Sequence, residues 1–527
     1  MTMTLITAAL VKEMKKKIDN FIVDNRSNII HDIVELIKIE SLNGNKEKNT
    51  QALDYVMSLA EKMGMKTTKS SKNDVGVIEI GQGKEIIGVL AHVDVVGVGD
   101  IQKWNHPPFA GKIDKGYIWG RGVVDDKGPL ILCLYGLKAI KDLQIPLNKR
   151  IWLIVGTCEE SEWHDIETFK KEFEMPDYGF SPDGDFPIYN REKGYCDVEI
   201  LFNEPCRDIL EEVQAGDSPN TIPSKAVFKI RNQEELVFHG LSCHSSVPGM
   251  GVNAIEKLIT AQGFRTEFNF IRFISDFLSK DYNGTKLGID DPKWATNDKL
   301  DKTTAVPTKL SLTKEGVKLN INMRLWFDVT EEKVKTAFAR LASKYNYTFR
   351  ISDFLNSMEV SPDQQFLQVM ADVYESYGYK AAFKTAVGTS YAKSMKNFVS
   401  WGPVFETEPN CAHMENERLS IGAMITAGQM YANFLARMAS PFEDLKKKYA
   451  NMTSLEKALY LLSLFAQPPY RYDVPTLAGL TGMNRTTVYR NLSSLEEAGF
   501  LARDEETKSY TVGEMSKKMY EAFELKK

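Results

Sequence analysis

The stretch IWLIVGTCEESEW (residues 151–163) carries five apolar residues into a glycine and then sets Glu159 and Glu160 side by side. A short apolar run ending at a turn is the pattern of a strand buried on both faces, as in a sheet covered by helices. Two adjacent carboxylates at its end repel each other and must be dehydrated together, so they need a compensating charge. Working outward, two other strand-like runs end the same way. IIGVLAHVDVV (86–96) delivers His92 and Asp94, and DYGFSPDGD (177–185) delivers Asp183. In α/β sheets, ligands collect outside the carboxyl ends of strands, which places these three ends at one crevice.

Helical patterns such as SNIIHDIVELIKI (27–39) alternate with the strand-like runs through residue 187, which reads as α/β. From 188 to 381 longer mixed segments take over, with strand-like LNINMRLWF (319–327) and helical EEKVKTAFARLASKY (331–345), the text of an α+β insert. A return segment, 382–440, ends in the helical pattern MITAGQMYANFLARM. The expected organisation is a catalytic domain (13–187 and 382–440) with a mostly parallel central sheet, an inserted lid (188–381), a polar linker (441–452), a winged helix-turn-helix (453–515) and a tail (516–527). The 527 residues exceed what one hydrophobic core supports.

Composition narrows the class. Hydrophobic residues make up 43% and charged residues 26%, values of an ordinary globular protein. A net charge of −5 argues against a chain built mainly around nucleic acid. Six cysteines form no C-x-x-C pair, which fits reduced thiols. The opening MTMTLITAAL lacks the basic start and length of a signal peptide or anchor, so the expected location is cytoplasmic, with no membrane partner.

Two further pieces complete a ligand set. GRGVVDDKGP (120–129) places Asp125 in a glycine-rich loop before an apolar helix, and PNCAHMENERLSI (409–421) supplies His413. The imidazoles His92 and His413, with the carboxylates Asp125, Glu160 and Asp183, form a nitrogen and oxygen set suited to zinc, manganese or cobalt, and sufficient for two divalent ions if one carboxylate bridges. Two ions bring +4, the three carboxylates −3, and a hydroxide closes the balance. With Glu160 as a ligand, Glu159 is left as a free carboxylate able to move protons, a contribution of about 10²–10⁴ in rate. His31, His106, His164 and His239 lack such settings and read as surface or packing residues.

In chain order, AHVDVVGVGD, WNHPPFAGKIDKGYIWGRGVVDDKGP, GTCEESEW, FSPDGDFPIYNREKG, GLSCHSSVPGMGVNA and HMENERLSI resemble the two-metal peptidase family of aminoacylases, carboxypeptidase G and bacterial dipeptidases, over about residues 13–440. The wording GTCEESEW and SPDGDFP is nearest the dipeptidase V branch, the Xaa-His dipeptidases. The resemblance implies that Asp125 bridges two ions, that His92 and Asp183 complete one shell and Glu160 and His413 the other, and that Asp94 orients His92. It makes Glu159 the general base, assigns His244 of the insert to the tetrahedral oxyanion, and assigns Asn220, Arg324 and Gly388 to the substrate. It also implies a monomeric catalytic body whose enlarged lid replaces a partner subunit. One departure stands out: where that branch reads Gly-Gly-Thr-Tyr-Ala-Arg, this chain has GTSYAK (388–393), so Thr389 adds a side chain and Lys393 replaces a bidentate fork.

Beyond the linker, NMTSLEKALYLLSLFA opens with a capping box, Thr453 and Glu456, and spaces Leu455, Leu459, Leu462 and Phe465 along one helical face. Pro475 marks a helix start and Gly482 a stop. MNRTTVYRNLSSLEEAGF buries Val488, Leu492 and Leu495, and FLARDEETKSYTV reads as a wing. The order resembles the IclR-type winged helix-turn-helix, in which the second helix of the motif enters the major groove of double-stranded DNA, making Arg485, Thr486, Tyr489 and Arg490 the contact candidates. The six Lys/Arg against eight Asp/Glu between Thr453 and Glu514 are a weak basic footprint, so protein docking stays open.

The leading expectation is a dipeptidase acting on short unblocked peptides. The rivals are a transcriptional regulator with a peptidase-like sensor body and an N-acyl-amino-acid amidohydrolase. A sensor has no need of Glu159.

Overall fold

The run Ile151–Val155 lies inside a strand whose residues Ile151–Gly156 are all buried in the computed structural model. The model describes residues 4–203, 208–261, 267–279, 282–290, 302–441, 453–465, 470–481 and 483–524. The chain divides into two compact units. One comprises Met1–Asp185, Gln365–Ala381 and Gly402–Lys527, and the other Phe186–Gln364 and Ala382–Trp401.

In the first unit, helices α1 (Thr4–Asp24), α2 (Arg26–Ile37) and α3 (Lys46–Lys62) precede strands β1 (Lys66–Lys69), β2 (Val75–Gly81) and β3 (Ile86–His92). Then come α4 (Lys127–Asp142), β4 (Arg150–Gly156), α5 (His164–Glu172) and β5 (Tyr178–Ser181). The strands lie in the order β1-β2-β4-β3-β5. β3 runs parallel to β4 and β5, as helical crossovers require. β1 and β2 follow each other through a short turn and pair antiparallel, and β2 pairs antiparallel with β4. The sheet is therefore mixed: parallel where the three chemistry-bearing runs end, antiparallel toward the β1 edge.

Helix α4 is buried on nearly every side, from Lys127 to Ile140, as its continuous apolar text demands. A side-chain carbon at Gly136 would meet Ala432 at 3.3–3.4 Å, so the glycine lets α4 lie close against the returning helix Ile421–Ala439.

In the second unit, β6 (Ile188–Glu192) is followed by β7 (Gly194–Phe202), β8 (Leu210–Ala215), β9 (Lys225–Ile230) and β10 (Leu236–His239). Next come α6 (Ala254–Ala261), α7 (Asn269–Phe277), β11 (Thr304–Leu312), β12 (Val317–Leu325), α8 (Glu331–Tyr345) and β13 (Tyr347–Leu355). The antiparallel sheet β10-β9-β8-β11-β12-β7-β13 shares one apolar core with α6, α7 and α8, built on Phe202, Phe228, Phe270, Phe273, Phe338 and Tyr345. Alternation decides which side chains enter it: Ile321 and Met323 point in, while Asn320, Asn322 and Arg324 share the other face. Strand β14 (Phe383–Ala386) pairs parallel with β6, and β15 (Phe398–Ser400) pairs antiparallel with it.

After α9 (Gln365–Ser376) and α10 (Ile421–Ala439), both of the first unit, the linker expectation falls on 441–452, of which 442–452 lie outside the described residues. The C-terminal region then shows α11 (Ser454–Leu464), strand β16 (Tyr472–Asp473), α12 (Val474–Thr481), α13 (Arg485–Glu497), and strands β17 (Leu501–Arg503) and β18 (Ser509–Val512) in a sheet ordered β16-β18-β17. The capping box of Thr453 and Glu456 is present, and Val488, Leu492 and Leu495 are buried. Leu455 and Leu459 are 69% and 55% exposed, whereas Leu461 and Phe465 are buried, with Ala458 packed beside them. The helix presents the 458/461/465 stripe, because a leucine-dense helix satisfies more than one 3.6-residue pattern. Gly482 lies outside the described residues, and a further helix, α14 (Glu514–Glu524), occupies most of the segment read as a tail.

Candidate metal centre

Parallel pairing puts the carboxyl ends of β3, β4 and β5 on one side of the sheet. His92 is the last residue of β3, Asp94 follows two residues later, Glu159 and Glu160 lie in the loop after β4, and Asp183 lies two residues past β5. Asp125 stands just ahead of α4, joined to Asp126 by a cis peptide bond, and His413 sits in the loop before α10.

These side chains meet. His92 Nε2 lies 2.9 Å from Asp125 Oδ1 and 3.9 Å from Asp183 Oδ2, and His413 Nε2 lies 2.9 Å from both Asp125 Oδ2 and Glu160 Oε1. Two sets of three, His92/Asp125/Asp183 and Asp125/Glu160/His413, each hold their ligand atoms within 4.8 Å of one another. Asp125 belongs to both sets, with one oxygen toward each histidine. His92 and Asp94 are wholly buried, while the His413 side chain is 53% exposed.

The charges are out of balance. Burial, reinforced by Asp183, Glu160 and Asp125, pushes the Glu159 carboxyl well above its ordinary range. Burial and Asp125 likewise raise Asp183 and Glu160. Against these carboxylates stand two imidazoles. Burial works against the His413 cation, but its hydrogen bonds to Asp125 and Glu160 prevail and push it up to about 11. Asp125, between both rings, is held below the carboxylate range by them despite burial. A partly buried set of hard oxygen and imidazole donors with surplus negative charge, open to solvent at His413, fits divalent cations, and the two three-atom sets fit two.

Asp94 does more than the sequence suggested. The Nδ1 of His92 lies 3.0 Å from the backbone carbonyl of Asp94 and 3.4 Å from its carboxylate, which leaves Nε2 facing the other ligands. The same carboxylate accepts the backbone N–H groups of Glu159 and Glu160 at 3.1 and 3.0 Å. One side chain thus sets both the imidazole and the glutamate pair.

Other supports escaped the sequence reading. Asp165, at the start of α5, accepts the N–H groups of Thr157 and Cys158 and pins the glutamate loop from the far side. Glu417, 1% exposed, takes a 2.6 Å ion pair from Arg121 and accepts N–H bonds from Gly122, Val124 and Asp125. It fastens the Asp125 loop to the segment that carries His413, four residues away. Lys127 is fully buried, donates to the carbonyls of Leu36 and Ile39, and is brought down to about 7 by burial. Arg121 and Glu417 did sit inside the quoted motifs, but their pairing across 296 residues left no local mark.

His244, Asn220, Arg324 and Gly388 all belong to the second unit. Within that unit, Ser245 N–H donates to the Asn220 carbonyl, and Thr221 bridges His244 across antiparallel backbone. The Nδ1 of His244 lies 2.6 Å from the Ser246 hydroxyl. The Ser245 hydroxyl donates to Asn322 Oδ1, the Asn322 amide donates to Asp197, and the Tyr195 hydroxyl donates to the same Asp197 carboxylate. Arg324 lies over the Tyr195 ring at 4.9 Å. A polar ladder therefore links the His244 loop to the Arg324 neighbourhood. In the C-terminal region Arg485, Thr486, Tyr489 and Arg490 are all exposed on α13, with Asn484 capping its start.

Comparison with known proteins places these observations. The model of "Peptidase family M20/M25/M40" matches residues 88–437, and that of the "IclR helix-turn-helix domain" matches residues 454–505. A Bacillus subtilis protein named "Putative dipeptidase YtjP" is 32% identical over 470 residues, covering 79% of this chain and 98% of its own length. A dipeptidase-named relative from Staphylococcus saprophyticus is 28% identical, covering 78% of this chain and 97% of its own. Among solved structures, human carnosine dipeptidase 1 superposes with a TM-score of 0.55 at 13% identity, covering 81% of this chain and 99% of that one. The dipeptidase Dug1p of Saccharomyces cerevisiae gives 0.55 at 14%, covering 81% and 98%. At such identities these two likenesses speak for the fold. Among the described residues no helix is long and apolar enough to cross a membrane.

Proposed function

The chain belongs to peptidase family M20/M25/M40 and carries a C-terminal IclR helix-turn-helix domain; on that premise we propose that it is a cytoplasmic dipeptidase that hydrolyses short unblocked peptides. The observation that carries this reading is the pair of three-residue ligand sets sharing Asp125, with Glu159 on the loop that also supplies Glu160. In this reading His92, Asp125 and Asp183 hold one divalent ion and Asp125, Glu160 and His413 the other, with zinc, manganese and cobalt suited to the donor set. When bound, such ions supply Lewis-acid chemistry that acidifies water and polarises a carbonyl.

The chain's own residues do the rest. Glu159 takes a proton from the attacking water on its carboxylate and returns it to the departing amine nitrogen. Asp94 keeps His92 and the Glu159 backbone in register. From the insert, with its lid over 188–381, His244 steadies the oxyanion and Asn220 and Arg324 hold the peptide ends, together with Gly388 of the return segment. The catalytic body acts as a monomer. The exposed face of α13 contacts duplex DNA through Arg485, Thr486, Tyr489 and Arg490, a separate function that hydrolysis does not need.

The test is a turnover screen of unblocked dipeptides against N-acyl amino acids, with metals removed and restored one at a time. Cleavage of dipeptides and not of acyl amino acids is expected. Preference for acyl amino acids would move the reading to an amidohydrolase, and no turnover with any metal would favour a sensor body.

A further inference from the structure

His244 is exposed, but the residue after it, Ser245, is wholly buried and ties the loop to the sheet. The Ser245 hydroxyl donates to Asn322 Oδ1 at 2.7 Å, and its N–H donates to the Asn220 carbonyl at 2.9 Å. On the flanks, Thr221 bridges His244, and the Val247 N–H closes a turn onto the His244 carbonyl at 3.1 Å. Of these four ties three are made by backbone, and the bond from Ser245 to Asn322 is the one made by side chains.

Chemistry decides which way the Asn322 amide faces. Asn322 and Asp197 are partners across the antiparallel strands β12 and β7, and both are buried. A carboxylate oxygen accepts, so Asn322 turns its NH2 to Asp197 Oδ1, 3.0 Å away, which leaves its own Oδ1 for the Ser245 hydroxyl. The Asp197 carboxylate is held in turn by the Tyr195 hydroxyl and the Asn320 amide. The link from Asp197 to Ser245 therefore has one polarity, and a satisfied buried link of this kind holds one geometry.

The ring is set from its other side. The Ser246 N–H donates to His244 Nδ1 at 3.2 Å, and an amide N–H does not accept, so Nδ1 bears no proton in that bond. The Ser246 hydroxyl, 2.6 Å from Nδ1, is free to turn its proton to the same nitrogen. The neutral imidazole then carries its proton on Nε2, the nitrogen left to donate to an oxyanion.

We propose that Asn322 is a positioning residue for the oxyanion donor: oriented by Asp197, it holds the His244 loop through Ser245, while the Ser246 amide keeps the ring in the tautomer that donates from Nε2. This rests on the assignment of His244 to the oxyanion and deepens it. Arg324 shares the same face of β12 but grips the peptide before and during reaction alike, so the two residues separate in kinetics, Asn322 acting on kcat and Arg324 on KM.

The experiment is a mutant cycle in the intact metal-loaded protein, measuring kcat and KM for one unblocked dipeptide. His244→Ala should lower kcat by about 10²-fold or more, the loss of one oxyanion donor. Ser245→Ala and Asn322→Leu should each lower kcat by about tenfold with KM within about threefold. In the His244→Ala background neither should cost more than about a further twofold, since the donor they position is gone. Nitrogen NMR of the neutral His244 ring should find the proton on Nε2. If Asn322→Leu does not fold, Ser245→Ala breaks the same link from its other end and carries the cycle alone. Full additivity with His244→Ala, unchanged kcat in both single variants, or a ring proton on Nδ1 would overturn this inference and leave His244 at the oxyanion. Unchanged kcat in His244→Ala would overturn that assignment and this inference with it.

Discussion

Around His92 the first unit crowds five carboxylates, Asp94, Asp125, Glu159, Glu160 and Asp183, against two imidazoles, whereas around Arg324 the second unit buries a guanidinium beside a hydroxyl and a tyrosine ring whose own hydroxyl donates to the Asp197 carboxylate. The first region carries surplus negative charge, whereas the second holds a cation on which the Asp197 carboxylate acts without a direct ion pair. At Arg121 and Glu417, by contrast, two buried charges pair directly at 2.6 Å. The surplus of negative charge in the first region calls for cations, and a guanidinium with no direct carboxylate partner leaves room for an anion in the second. The same contrast separates chemistry from recognition: losses in the first region should fall on kcat and metal content, and losses in the second on KM.

The sharpest way to break that contrast is at Glu159. Glu159→Ala should lower kcat by about 10³-fold while two ions remain bound, measured by steady-state turnover and elemental analysis. Retained turnover would remove Glu159 from the chemistry. Glu417→Gln comes next. Because Glu417 fastens the Asp125 loop, the variant should weaken metal affinity by about 10–100-fold, read by competition against a chelator, with turnover recovering at high metal.

Arg324→Met tests the other sign. It should raise KM for free dipeptides by about tenfold or more, since it removes the cation that holds the peptide carboxylate. An unchanged KM would remove Arg324 from substrate binding.

The smallest expected effect is in pH. Burial brings the Lys393 ammonium down to about 8, with Glu192 opposing and Arg324 assisting. The group is cationic below that value and loses its charge above it, so KM for a free dipeptide should rise by about two- to threefold as pH passes upward through about 8. Lys393→Arg, which stays charged, should flatten the rise. The charged groups named around Lys393 are Glu192 and Arg324, and the carbonyl that holds it is that of Lys193.

How far the sequence could be read follows from the range of each signal. His92, Glu160 and Asp183 were legible because each sits where an apolar run stops, and a strand end is a local event. Asp125 and His413 were legible through their loops and through the resemblance. The pairing of Arg121 with Glu417 was not, because in sequence a buried ion pair looks like two solvated charges. The second grip of Asp94, on the Glu159 and Glu160 amides, depends on how β3 and β4 align, which residue types do not state. The spacing of Leu455 and Leu459 did not decide which face of α11 is buried, because a helix with this many leucines fits several faces, and packing against Leu477 and Leu492 selects one. Thr389 and Lys393 were visible as departures, but their shared hydrogen bonds to one another and to Arg324 appear only in three dimensions.

The most direct test of the central claim counts metal. Purified protein, stripped by chelation and reloaded with zinc or manganese, should bind two ions per chain, lose dipeptide hydrolysis when stripped and regain it on reloading, while Asp125→Ala should lose both ions together. A stripped, metal-free protein that hydrolyses dipeptides at the undiminished rate would contradict the account.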